Sequence, residues 1–207
     1  MIKSGNGRQN KHTIFCVFLF LVGCGSGESK LPVLGMRFWN GTDTVYHRIA
    51  PFELLDQDSL PVSDRSLKGK IYAADFFFTS CRTICPIMKA EMKRVYDATA
   101  NMEDVEIVSH TIDPEYDDVK RLRQFARRLG VSRRWHFLTG KKDIIYRLAR
   151  ESYFATAREG EDAEEKFIHS GTFTLIDKEG RLRGAYDGTR KEDVNRLILD
   201  IKKLRRE

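Results

Sequence analysis

Hydrophobic positions along the 207-residue chain recur with two different periods, and the alternation between them predicts the elements. "KIYAADFFF" (Lys70 to Phe78) is almost unbroken in apolar residues, the pattern of a strand covered on both faces. Helical spacing follows from about Pro86 to Thr99, with proline tolerated in the first turn. "VEIVSHTI" reads as the next strand. "YDDVKRLRQFARRLG" offers Asp117 as a helix cap, puts Val119, Leu122, Phe125, Ala126 and Leu129 on one face, and stops at Gly130. "WHFLTG" is a short strand, and "KKDIIYRLARES" a helix with Ile144, Ile145, Leu148 and Ala149 facing inward. After an acidic loop, "REGEDAEEK", come the strands "GTFTLID" and "RLRGAY" around the turn Lys178-Glu179-Gly180. Val194, Leu197, Ile198, Ile201 and Leu204 then mark one face of a last helix. Upstream, "HRIAPFELLDQDSLPVS" holds strand-like pieces around Asp56 to Ser59, a predicted hairpin.

Helices alternating with strands, then a closing hairpin and helix, predict an α/β fold: a thioredoxin-like three-layer sandwich with an extra N-terminal β-hairpin. The start of the chain has a different character. Lys3, Arg8 and Lys11 precede "IFCVFLFLVG" (Ile14 to Gly23), no acidic residue occurs before Glu28, and Cys24 follows at once. An apolar run of about ten residues is half the length a membrane-spanning helix needs, so the segment reads as a signal peptide. Leu21-Val22-Gly23-Cys24 resembles a bacterial lipobox, in which the leader is cut before the cysteine and that cysteine carries lipid. The expected organisation is a leader over 1–23, a tether over 24–44 from lipidated Cys24, and one domain over 45–207. Such a protein is held at a membrane by its lipid, with the domain outside the cytoplasm on the periplasmic side. Cys16 departs with the leader.

Charge adds an exclusion. The 36 basic and 30 acidic residues leave +6, and loss of Lys3, Arg8 and Lys11 leaves 33 against 30. An excess that small gives no case for nucleic acid. Basic runs such as "RLRQFARRLG" and "KKLRRE" read as solvated faces of amphipathic helices.

Chemistry concentrates in "AADFFFTSCRTICPIMKAEM", where Cys81 and Cys85 stand between the end of a central strand and the start of a helix. Open α/β sheets carry their sites at strand carboxyl ends. A helix start favours thiolate over thiol, and Arg82 pushes the same way. Separation by four puts both sulfurs on one side of a helical turn, with Cβ atoms ~5–6 Å apart. That is wide for a disulfide and suits two thiolates holding one ion, although a small backbone change would allow the bridge. Three readings follow: a structural disulfide, thiol–disulfide exchange, or a metal site needing a further ligand. Two thiolates make a soft site that selects Cu(I), and an imidazole broadens it to Cu(II). Of the histidines, His47 belongs to the N-terminal hairpin and His110 and His136 to strands. His169, in "KFIHSGTFTLID", stands before a strand and after a long loop, where ligands are commonly found.

"SLKGKIYAADFFFTSCRTICPIMKAEMKRVY", "HTIDPEYDD", "WHFLTGKKDII" and "FIHSGTFTLIDKEGRLRGAYDG" resemble successive blocks of the Sco (SenC) family, copper-delivery proteins of the thioredoxin superfamily. The resemblance runs in order from about Ile49 to the C-terminus. It implies that Cys81, Cys85 and His169 bind copper, as Cu(I) or Cu(II), and that Cys81 and Cys85 form the redox disulfide. It implies further that the protein serves the dinuclear copper centre of cytochrome c oxidase, by delivering copper, by reducing cysteines of the target, or both. The acceptor would be an oxidase subunit with a cysteine pair, and the protein a metallochaperone more than an enzyme. One departure is that the family commonly has proline and then an acid after the first cysteine, where this chain has Arg82 and Thr83. Added positive charge stabilises a copper ion held by two thiolates and equally activates Cys81 as a nucleophile. Two alternatives stand beside this: a thiol–disulfide oxidoreductase acting on exported proteins without copper, and, from Thr79 with Cys81, a peroxiredoxin. Asp75 is a candidate to exchange protons with the thiols or to be a hydrogen-bonded structural acid. Asp113 is a candidate partner of His169 or a guide for the acceptor, or else a turn residue before Pro114. Met88, Met92 and Phe76 to Phe78 read as core and pocket wall.

Overall fold

A computed structural model of the chain describes Met1 and residues 29–159, 167–169 and 171–207; of 157–159 and 167–169 it describes the backbone. The rest of the expected leader, and Cys24, lie outside the described residues. In chain order the elements are β1 (Arg37–Trp39), β2 (Thr44–Tyr46), β3 (Glu53–Leu55), β4 (Pro61–Ser63), β5 (Ile71–Phe77), α1 (Cys85–Ala98), β6 (Val105–Thr111) and α2 (Val119–Leu129). There follow β7 (Trp135–Leu138), α3 (Lys142–Arg147) running on into a π-helical turn (Leu148–Ser152), β8 (Ala157–Glu159), β9 (Phe167–His169), β10 (Thr172–Ile176), β11 (Leu182–Asp187) and α4 (Lys191–Leu204).

The central sheet has the order β11-β10-β5-β6-β7. β5, β6 and β7 run parallel, β10 pairs antiparallel with β5, and β11 closes the sheet antiparallel to β10. All seven residues of β5 are buried, as its unbroken apolar pattern requires of a strand with layers on both faces. One face carries α1, α2 and α4 over Phe77, Ile107, Phe137 and Phe173; the other carries α3 and the N-terminal strands over Phe76, Val108 and Ile176. This is the expected thioredoxin-like sandwich, preceded by the expected hairpin, β3 paired with β4.

Two details differ from the sequence reading. The cap of α2 is Asp118, whose side chain accepts from Arg121 N–H at 2.7 Å, while Asp117 is spent elsewhere. The helix ends at Gly130, left-handed at φ 65°, as expected. Structure also begins before residue 45. Leu34 N–H donates to the Leu182 carbonyl at 2.8 Å, Arg183 binds the carbonyls of Leu31 and Pro32, and β1 pairs with β2. Part of the segment expected as tether is therefore attached to the domain body.

Candidate functional site

The loop between β5 and α1 is built by what it bonds to behind it. Thr79 N–H donates to Asp117 Oδ2 at 2.9 Å and the Thr79 hydroxyl donates to Asp117 Oδ1. Thr111, the last residue of β6, donates its hydroxyl to the same carboxylate at 2.6 Å. Asp117 is wholly buried, so one carboxylate ties the ends of two neighbouring strands together and sets the exit direction of the chain toward Cys81. Cys81 N–H then closes a turn on the Phe78 carbonyl at 3.3 Å.

Cys85 is the first residue of α1 and is buried, whereas Cys81 is half-buried and its sulfur lies 3.6 Å from the Thr83 hydroxyl. No disulfide joins them. Their sulfurs hydrogen-bond instead, and this bond, with burial, drives the Cys85 thiol pKa far above its ordinary range, against the pull of the Phe78 backbone and the Lys89 charge. The helix start therefore does not lower the Cys85 pKa; contact with the half-buried Cys81 and burial outweigh it. Arg82 is exposed.

Behind the pair lies a buried charge that the sequence reading did not single out. Lys89, one turn past Cys85 on α1, is 3% exposed. Its ammonium donates to Asp75 Oδ2 at 2.6 Å and to Ser109 Oγ at 3.1 Å, and lies 4.0 Å from the centre of the Phe77 ring. Ser109 also donates to Asp75 and accepts from Trp135 Nε1 at 2.9 Å. The Asp75 carboxylate is thereby taken up by Lys89 and Ser109. Its sequence signal was only a lysine on the apolar stripe of Met88, Met92 and Val95, all of which are fully buried. Asp113 is buried too, and its carbonyl accepts from the amides of Tyr116 and Asp117, which makes a turn at the end of β6.

His110, in β6, turns its ring to the other face of the central sheet. It is fully buried and stacks on Phe76 at 4.9 Å, and neither ring nitrogen makes a hydrogen bond of ordinary geometry among the described residues. His136 instead spans Asp56 at 3.2 Å and Glu106 at 3.3 Å.

The acidic loop is flanked by a short ribbon in which β8 pairs with β9, His169 opposite Ala157. The side chain of His169 lies outside the described residues, and among those described no three His, Cys, Asp or Glu come together as a metal set. Two residues on, Gly171 lines an open groove of about 420 Å³ together with Ile84, Tyr186, Asp187 and Thr189. A Cβ built on Gly171 would touch the Ile84 side chain at 3.9 Å. Ile84 directly precedes Cys85, so Gly171 lies beside the cysteine loop.

The SCO1/SenC family model matches residues 41–206. A SCO1 protein homolog of Bacillus subtilis strain 168 is 35% identical over 189 residues, covering 90% of this chain and 91% of that protein. The crystal structure of a SCO1/SenC family lipoprotein from Bacillus anthracis superposes with a TM-score of 0.71 at 30% identity, covering 77% of this chain and 95% of that one. BsSco, described with a disulfide switch and as a member of the Sco family of cytochrome c oxidase assembly proteins, gives 0.67 at 35% identity over 76% and 93%. Copper-bound ScoI of Arabidopsis thaliana gives 0.64 at 27% identity over 76% and 98%. With the family pattern spanning most of its length, this chain belongs to the SCO1/SenC family.

Proposed function

We propose that Cys81, Cys85 and His169 bind one copper ion and that the protein serves a cytochrome c oxidase copper centre, delivering the ion to an oxidase subunit with a cysteine pair. The observation that carries the proposal is the pair of reduced sulfurs in mutual contact at the carboxyl end of β5, one of them open to solvent. Two thiolates supply the soft donors that suit Cu(I), and the His169 imidazole would extend the site to Cu(II). Copper is cargo here. Loading displaces the two thiol protons to solvent, and release exchanges these sulfurs for the acceptor's thiolates with no change in oxidation state. Oxidation removes two protons and two electrons from the pair, joins the sulfurs and ends the site. If the electrons go to an acceptor disulfide, the acceptor gains two thiols.

The membrane setting belongs to the same proposal. Cleavage after Gly23 and lipid on Cys24 would hold the domain on the periplasmic face. That suits an oxidase target, and the resemblance to a SCO1/SenC family lipoprotein supports it. Among the described residues no helix is long and apolar enough to cross a membrane.

A second reading, thiol–disulfide exchange without copper, is favoured by the asymmetry of the pair. A half-exposed Cys81 before a buried Cys85 is the arrangement of an attacking and a resolving thiol. Copper titration of reduced and oxidised protein beside His169→Ala separates the two. The copper reading expects one ion bound by the reduced wild type, none by the oxidised form, and a loss of roughly a hundredfold in affinity on His169→Ala. Equal copper binding by reduced and oxidised protein would refute it. Reductase activity unchanged by His169→Ala, with no copper retained by the wild type, would establish exchange instead.

A further inference from the structure

Among the described residues, large exposed apolar side chains crowd together on the β1–β2 ribbon. Met36, Phe38 and Trp39 are 74%, 62% and 66% exposed, three large apolar side chains within four residues. Phe38 and Trp39 lie on opposite faces of the ribbon, which pairs only β1 with β2. A two-stranded ribbon with β1 exposed throughout has little to stabilise it alone, and exposed aromatic clusters mark surfaces that meet something.

Its root is firm. His47 N–H donates to the Met36 carbonyl at 2.8 Å, and the His47 ring bonds the Ser152 carbonyl at 2.8 Å. Just upstream, Leu31 N–H donates to Glu207 at 2.7 Å, while Arg183 holds the Leu31 carbonyl at 2.6 Å. These bonds fix where the chain leaves the domain. Cys24 precedes Leu31 by seven residues, which span at most roughly 25 Å when fully extended. A lipid on Cys24 would therefore hold the Leu31 attachment within that distance of the bilayer, and the ribbon begins only six residues further on. Tryptophan with an apolar neighbour is the composition that settles at the headgroup level of a membrane.

We infer that the β1–β2 ribbon is a membrane-interface foot that seats Phe38 and Trp39 in the lipid headgroup region. The inference rests on the lipid anchor at Cys24 proposed above. It adds a second point of contact, so that the domain stands in a defined orientation instead of swinging on a tether.

The chain has two tryptophans, Trp39 and the fully buried Trp135, so the difference between wild type and Trp39→Phe isolates the signal of Trp39. The full lipidated chain is reconstituted into phosphatidylethanolamine–phosphatidylglycerol vesicles, with and without bromine high on the acyl chains. Co-sedimentation is scored beside fluorescence. Pelleting with a blue-shifted Trp39, quenched roughly twofold or more by bromine, supports the foot. Pelleting with Trp39 unquenched overturns the foot and leaves the lipid anchor standing. No pelleting overturns the anchor, and the foot with it. A Trp39 signal that shifts blue with protein concentration in the absence of vesicles assigns the ribbon to a second copy of the chain and overturns the membrane assignment.

Discussion

Lys89 and Asp75 form an ion pair with almost no solvent: their side chains are 4% and 0% exposed and 2.6 Å apart. At an effective dielectric of about 20 the attraction at that distance is roughly 6 kcal/mol, most of which offsets the loss of hydration of two charges. The pair as a whole therefore contributes little net stability, but either half alone is costly. Asp75→Asn leaves a buried ammonium with the Ser109 hydroxyl and the Phe77 ring, which recover ~1–2 kcal/mol, so a net loss of about 3 kcal/mol is expected. Lys89→Met leaves a carboxylate with one hydroxyl donor and should cost about 3–5 kcal/mol. The double variant should return to within about 1–2 kcal/mol of wild type, because no lone charge remains. Urea unfolding of the reduced protein measures all four corners of the cycle. Trp135, whose indole donates to Ser109, reports from inside the network. The same cation also acts on Cys85, so Lys89→Met should weaken Cu(I) binding by roughly tenfold as the two thiolates lose a nearby positive charge. Single losses below about 1 kcal/mol, or a double variant as unstable as the summed singles, would refute the reasoning.

Three further outcomes follow from neighbouring features. Burial pushes the His110 pKa down to about 4, against the Asp75 carboxylate and backbone, so between about 4 and the ordinary 6.5 the unfolded chain binds the extra proton. Stability should fall by about 3 kcal/mol as pH drops through that window, and urea titrations of wild type and His110→Phe should show the slope only in the wild type. Burial alone would lower the His136 pKa, but hydrogen bonds to Glu106 and Asp56 outweigh it and raise it. Its stabilisation is therefore complete at low pH and lost as pH rises through the raised value, and His136→Gln should remove that alkaline decline. Asp117→Ala strips three hydrogen bonds from Thr79 and Thr111 and should cost about 2–4 kcal/mol by urea unfolding, with amide exchange accelerating first in the residues before Cys81.

What was legible in the sequence divides along the range of the interactions concerned. β5 was readable because burial on both faces writes an apolar run into the chain itself, and α4 because one buried stripe writes the helical period. The cap of α2 slipped by one residue because two adjacent aspartates can both cap, and only the tertiary need of Thr79 and Thr111 decides which one does. Lys89 drew no reading from the sequence. Its burial depends on Asp75 and Ser109, which stand 14 and 20 residues away on separate strands. The segment before residue 45 read as tether because strands of three residues carry no period, and its attachments, Leu182, Arg183 and Glu207, lie about 150 residues or more downstream. The two cysteines were legible because their spacing is local, whereas the contact of Gly171 with Ile84 beside them joins residues far apart in the chain.

The direction of β5 connects the two ends of the molecule. Ile71 opens the strand in the same cleft as Leu31, where the N-terminal segment is pinned, and Phe77 closes it at the cysteine loop. Seven residues of strand span roughly 20 Å, so the sulfurs stand about that far from the point where the chain departs toward Cys24. A lipid anchor at one end of this rod and a soft-metal pair at the other would turn the pair away from the bilayer. An acceptor whose cysteines project from the membrane surface could then meet Cys81 and Cys85 without the domain having to invert. The buried Lys89–Asp75 pair lies between the two ends, in the layer that packs α1 on β5. α1, which begins at Cys85, is thereby tied to the strand that separates the cysteine loop from the Leu31 attachment.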